Sequence, residues 1–116
     1  MYLNEEFYSL KLRLENQKFK TPIDQLDTQI LYDKILLPIF GIEDLRNDER
    51  IDYIPGNRPV SKLKSCVDEG EYEIAFILYP SDIEEIKAVA DAHLIMPPKS
   101  TYIEPKFRSG LVVYEL

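Results

Sequence analysis

The sequence predicts an α/β fold of the mixed, α+β-like kind: about four to five strands in one sheet with about three helices, in the order β-α-β-α-β-α-loop-β. Three observations lead there. Apolar residues alternate with period two in "EFYSLKLRLE" and run almost unbroken through "YEIAFILYP". Between and after those runs lie stretches with apolar residues at helical spacing, each bounded by Pro, Gly or a capping residue. The length of 116 residues suits one domain with one modest core.

In "EFYSLKLRLE" Tyr8, Leu10, Leu12 and Leu14 share one face, while Ser9, Lys11 and Arg13 share the other. That pattern predicts a half-buried strand near a sheet edge. "TPIDQLDTQILYDKILLPIFG" predicts a helix with Asp27 as N-cap and a Leu26–Leu31 staple across it; Thr21-Pro22 offers an earlier start. Pro38 has no N–H and crowds the preceding turn, so this helix ends or kinks near Leu37, and Gly41 can close it. "RIDYI" is a short strand candidate stopped by Pro55 and Gly56. "PVSKLKSCVDEG" predicts a helix with Pro59 at its first position, Val60, Leu63 and Val67 on one face, and Gly70 past its end.

"YEIAFILYP" is apolar on both faces, which predicts a central strand. "SDIEEIKAVADAH" predicts the next helix, with a Ser81/Glu84 capping box and Ile83, Ile86, Val89 and Ala90 buried. It must stop before Pro97. "GLVVYEL" reads as the last strand.

Composition narrows the function classes. The net charge of −7 opposes nucleic-acid binding, which calls for a basic footprint. No apolar run approaches the roughly 18 residues of a membrane span, and Glu5 and Glu6 stand where a signal peptide would be basic, so the expected setting is cytoplasmic. Cys66 is the sole cysteine and His93 the sole histidine, so neither an intrachain disulfide nor a zinc cluster is expected, and Cys66 reads as a small buried hydrophobe. No glycine-rich phosphate loop and no nucleophile elbow is present.

One stretch breaks the acidic pattern. "MPPKSTYIEPKFRSG" carries Lys99, Lys106 and Arg108 against the single anion Glu104, a local +2 in a chain whose other residues total −9. Pro97, Pro98 and Pro105 restrict the backbone and lower the entropy lost on holding it still. Lys99, Lys106 and Arg108 are pure donors, Ser100 and Thr101 add hydroxyls, and Glu104 can orient a cation. Together they predict a site for a small anionic ligand. The competing reading is a solvated loop that Glu104 docks by pairing with a neighbouring cation, worth about 0–1 kcal/mol.

The same stretch carries a resemblance. "AVADAHLIMPPKSTYIEPKFRSGLVVYEL", with "YSLKL", "LDTQILYDKILLPIFGI", "ERIDYIPG" and "IAFILYP", resembles the C-terminal end of the bacterial and archaeal family called domain of unknown function 1015. Members are generally longer, and their N-terminal part carries an Asp-Gly-His-His-Arg motif similar to that of ParB-, sulfiredoxin- and free-serine-kinase-like folds. That motif is absent from these residues. The resemblance implies the C-terminal domain of a small-molecule phosphotransferase, either an expressed piece or a truncated gene. It would be inactive alone and bind no cofactor itself, with a nucleotide bound by the full-length protein. Its partners would be the N-terminal domain and, in a homodimer, a second copy. The alternative is a non-catalytic scaffold or dimerisation domain. The motif maps onto Pro97, Pro98, Lys99, Ser100, Thr101, Glu104, Pro105, Lys106, Arg108, Ser109 and Gly110.

Overall fold

A computed structural model describes residues 1–101. It begins with an antiparallel hairpin, β1 (Tyr2–Leu3) and β2 (Glu6–Phe7), with Tyr2 opposite Phe7 and Leu3 opposite Glu6. Asn4 and Glu5 make the turn at φ 50° and 62°. Positive φ at both central residues matches the twist of a tight hairpin, and Asn tolerates it best among residues with a side chain. Past Phe7 the pairing ends at Tyr8, whose amide donates to the Met1 carbonyl at 2.8 Å and whose carbonyl accepts from the Met1 ammonium at 2.9 Å. Residues 8–13 form no regular element, Leu14–Asn16 is a single 3-10 turn, and Tyr8, Leu10 and Leu14 are exposed. The long first strand expected at 6–14 is therefore corrected to two residues: alternation prepares a face, but a strand also needs a neighbouring ladder, and none is supplied here.

A 3-10 turn at Ile23–Gln25 leads into α1 (Asp27–Leu31). Asp24 organises the approach by accepting the Lys20 and Thr21 amides at 2.8 and 2.9 Å. The N-cap is Leu26, with no side-chain cap bond, so Asp27 is the first helical residue rather than the cap. α1 passes directly into a π turn at Tyr32–Leu36, closed by the Leu37 amide on the Tyr32 carbonyl at 3.0 Å. Pro38 explains the widening: it cannot donate, and its ring crowds the carbonyl four residues back. Gly41, at φ 63°, ends the run, with the Gly41 and Ile42 amides on the Leu37 and Leu36 carbonyls at 3.1 and 3.0 Å.

"RIDYI" forms no strand. Arg50 donates to the Phe40 and Gly41 carbonyls at 2.9 and 3.1 Å, and the Tyr53 hydroxyl donates to the Leu45 carbonyl at 2.8 Å. These bonds fold the segment onto the 40–48 turn instead of a sheet. α2 (Val60–Asp68) follows with Pro59 as its N-cap rather than its first helical residue, so it starts one residue later than expected, and it buries Cys66. Gly70, at φ 78°, lies just beyond it.

The expected central strand is the largest correction. Only Ala75 pairs, exchanging both backbone bonds with Tyr2 at 2.8 and 3.0 Å, and Ile77, Leu78 and Tyr79 are exposed. α3 (Ile83–Asp91) has a complete capping box made by Asp82 and Glu85, one residue later than the Ser81/Glu84 pair that the sequence suggested. Its buried residue is Val89, whereas Ile83 is 71% exposed and Ala90 is also exposed. The final strand expected at 110–116 lies outside the described residues.

The mixed sheet of four to five strands and the alternating order are thus replaced, among the described residues, by a two-stranded hairpin and three helices. The buried apolar side chains are Tyr2, Leu26, Leu36, Ile42, Cys66 and Val89. The apolar runs lack the converging backbone partners that ladders need. Leu26→Ala, at a position 1% exposed, should cost about 2–5 kcal/mol of unfolding free energy in urea. Ile39→Ala, at a position 69% exposed, should change it by no more than about 0.5 kcal/mol; equal losses would contradict the burial described.

Candidate functional site

Among the residues expected to bind an anion, Lys99, Ser100 and Thr101 are described; Glu104, Lys106 and Arg108 lie outside the described residues. Pro97–Ser100 forms a turn. The Ser100 amide and hydroxyl both donate to the Pro97 carbonyl, at 3.3 and 2.7 Å, and the Ser81 hydroxyl donates to the Ser100 carbonyl at 3.3 Å. This last contact holds the end of the loop beside the entry to α3. Ser100 spends its hydroxyl proton on the turn and keeps only acceptor capacity toward a ligand. Lys99 sits at φ 57° and is exposed, as is Thr101. A non-glycine residue in that region occurs where the surrounding turn imposes it.

Pro98 borders a groove of about 240 Å³ whose other walls include Tyr32, Asp44 and Arg46. The π turn sets Tyr32 there, and its hydroxyl donates to the Glu43 carbonyl at 3.0 Å. Asp44 accepts from the Asn47 side chain at 2.7 Å and from the Arg46 amide at 2.8 Å, which together hold its carboxyl below the usual range. Arg46 makes no ion pair among the described residues. Nothing in the sequence analysis singles it out; its one signal is the acidic anchor two residues earlier, which fixes the turn that carries Arg46.

A second polar cluster was not foreseen at all. Tyr2 is fully buried, and its hydroxyl donates to Asp68 at 2.6 Å while accepting from Lys64 at 2.7 Å. Lys64 also pairs directly with Asp68 one helical turn away, and its ammonium lies 5.0 Å from the Tyr2 ring centroid. The Tyr2 ring in turn meets Phe7 at 4.6 Å. Lys64 first, then Tyr2, lowers the Asp68 carboxyl; Asp68 first, then Tyr2, raises the Lys64 ammonium; burial first, then Asp68, raises the Tyr2 phenol. The three groups are mutually hydrogen-bonded, so the cluster fastens the hairpin to α2.

A third feature lies where the 76–80 segment meets α3. Asp27, Asp82 and Glu85 border a recess of about 140 Å³ beside Tyr79, and the neighbouring Thr28 hydroxyl oxygen is buried without a partner. The carboxylates at the start of α3 face solvent: Asp82 and Glu84 are exposed and Glu85 partly so. Among the described residues no group of three or more His, Cys, Asp or Glu is placed to hold a metal ion. None of their helices is long and apolar enough to cross a membrane. His93 stands at φ 54° past the end of α3, its amide on the Ala90 carbonyl at 2.9 Å, and it is exposed.

No family model matches the chain, and neither a curated protein nor a solved structure is significantly similar to it. The chemistry of these sites therefore rests on their own geometry.

That geometry gives the fold a definite acid response. The carboxyls of Asp24, Asp44, Asp48 and Asp68 are all lowered: Asp24 by the Lys20 amide first, Asp44 by Asn47, Asp48 by Arg50 and Asp68 by Lys64. A lowered native value means that each ionised carboxylate favours the folded state. This stabilisation is complete above the unfolded value of about 3.9 and is lost as pH falls through the native values. The urea midpoint should hold steady from neutrality to about pH 5 and fall below about pH 4. Asp68→Asn should lower the neutral-pH midpoint and flatten the acid limb; an unchanged acid limb would remove the Asp68 contact from the account.

Proposed function

We propose that this chain is a non-catalytic interaction domain, a scaffold that packs its apolar surface against another folded protein unit. One observation carries the reading. Leu14, Ile39, Tyr79, Ile83 and Ile95 are each 69% exposed or more, while only six apolar side chains are buried among the described residues. Single exposed apolar residues are ordinary, but so many large ones beside so small a core are characteristic of a surface that is covered in an assembly. Within the family that the loop motif resembles, the covering unit would be the N-terminal domain, and the setting cytoplasmic. In the test, the isolated chain should bind an apolar dye at neutral pH, and its sizing-column elution should shift to larger mass as concentration rises. A chain that stays monomeric and leaves the dye dark would overturn the reading.

A second reading is favoured by the turn at Pro97–Ser100. There Lys99 projects exposed, with no ion pair among the described residues, next to the groove that Arg46 borders. Under the family resemblance this domain would lend an anion-binding loop at 97–110 to a small-molecule phosphotransferase. Lys99, Lys106 and Arg108 would neutralise phosphate charge, Thr101 would donate a hydrogen bond, Ser100 would donate one on releasing the Pro97 carbonyl, and Glu104 would orient a cation. Phosphoryl transfer depends chiefly on such positioning and charge neutralisation. Calorimetry with ATP should then show binding by the full-length protein, weakened about tenfold by Lys99→Ala, as expected for one charge-assisted hydrogen bond. Equal affinity in the variant would exclude the loop from ligand binding.

A further inference from the structure

The interaction reading leaves the partner's chemistry open, and residues 76–80 narrow it. They lie between two fixed points: Ala75, paired with Tyr2, and Ser81, bonded to the Ser100 carbonyl. From Phe76 to Pro80 no backbone N–H or C=O has a hydrogen-bond partner among the described residues. Ile77, Leu78 and Tyr79 are 41%, 37% and 87% exposed. Phe76 is anchored inward by edge-on contact with Phe40, ring centroids 6.4 Å apart. A run of β-prone, uncharged residues with free backbone donors and acceptors is a template for adding a strand from outside.

The flanks state what that strand must carry. Glu71 and Glu73 precede the run, and Asp82, Glu84 and Glu85 follow it. The recess beside Tyr79 is bordered by Asp27, Asp82 and Glu85, and the Thr28 hydroxyl oxygen next to it is buried and unpartnered. The ion pairs found among the described residues occupy none of these carboxylates. A second copy is a poor occupant. Antiparallel self-pairing centred on Ile77 and Leu78 would bring Glu73 toward Asp82 and Glu71 toward Glu84, and like charges set opposite one another destabilise a ladder.

We propose that residues 76–79 are a docking edge for an extended peptide segment of a different protein, apolar at its centre and flanked by Lys or Arg. The main chain of the peptide pairs with Ile77 and Tyr79, and one flanking cation enters the recess between Asp82 and Glu85. This inference rests on the interaction reading above and adds the partner's class to it.

The test uses the whole chain and two fluorescein-labelled peptides of about ten residues, both with an alternating Val-Thr centre, one with Lys flanks and one with Glu flanks. The Lys-flanked peptide should raise the anisotropy saturably and the Glu-flanked one should not. Asp82→Asn keeps a good N-cap for α3 and should weaken binding at least threefold. Ile77→Lys, at an already exposed position, should abolish it. Hydrogen exchange at the Ile77 and Tyr79 amides should slow only when the Lys-flanked peptide is present. Equal binding of both peptides would overturn the charge assignment. No binding of either, with apolar-dye binding intact, would overturn this inference and leave the interaction reading standing. Protection of those amides in the free monomer would assign the face to the chain's own remaining residues, and protection that grows with chain concentration would assign it to a second copy; either result overturns the proposal.

Discussion

The Tyr2 phenol, held between the Lys64 ammonium and the Asp68 carboxylate, is the contact on which the described architecture depends. Its ring is the most deeply buried aromatic among the described residues, and its hydroxyl both donates and accepts. The backbone of the same residue bonds Ala75 in both directions. One residue thus joins the hairpin, α2 and the 75–80 segment, three parts that make few other contacts with one another. A buried phenol without partners would carry a desolvation penalty, and a lysine and aspartate one helical turn apart remove it. The hairpin turn at Asn4 and Glu5 directs Tyr2 and Phe7 to the same side, so local backbone geometry and tertiary contact agree.

Helical stretches were legible and ladders were not. The signals that placed α1, α2 and α3 are local: apolar spacing, a residue that caps, a proline or glycine that stops. The cap positions missed by one residue, as with the capping box at Asp82 and Glu85, whereas the buried face of α3 was misassigned at Ile83 and Ala90. The π turn escaped notice because Pro38 announced only that the helix is disturbed and not how the backbone answers. Strands depend on a partner remote in sequence, and period-two patterning at 6–14 or a doubly apolar run at 72–79 identifies none. The short hairpin could have been anticipated from the Leu3-Asn4-Glu5-Glu6-Phe7 sequence at its tip, since Asn accepts the left-handed region better than other side chains.

The candidate sites show the same division. Charge contrast and proline content singled out the loop containing Lys99, and its first turn is tightly organised. Arg46 could be found only through folding, because it is more than fifty positions away from Lys99 in sequence, yet shares a groove with Pro98. Lys64 and Asp68 stand one helical turn apart, a spacing common to solvated surface pairs, and the sequence does not signal that a tyrosine at the second position of the chain lies across them. The recess at Asp27, Asp82 and Glu85 likewise joins acidic residues that sequence separates by a whole helix and two turns.

The single thiol, Cys66, is only 6% exposed and lies on the same helix as Lys64 and Asp68. Reagents attack the thiolate and need an open path to it, so this sulfur stays silent until α2 lifts away from what it covers. With no other cysteine to confuse the signal, the pace at which a disulfide reagent colours the solution becomes a clock for that opening. The native chain therefore carries its own reporter of how often the packing over the Cys66 face of α2 opens.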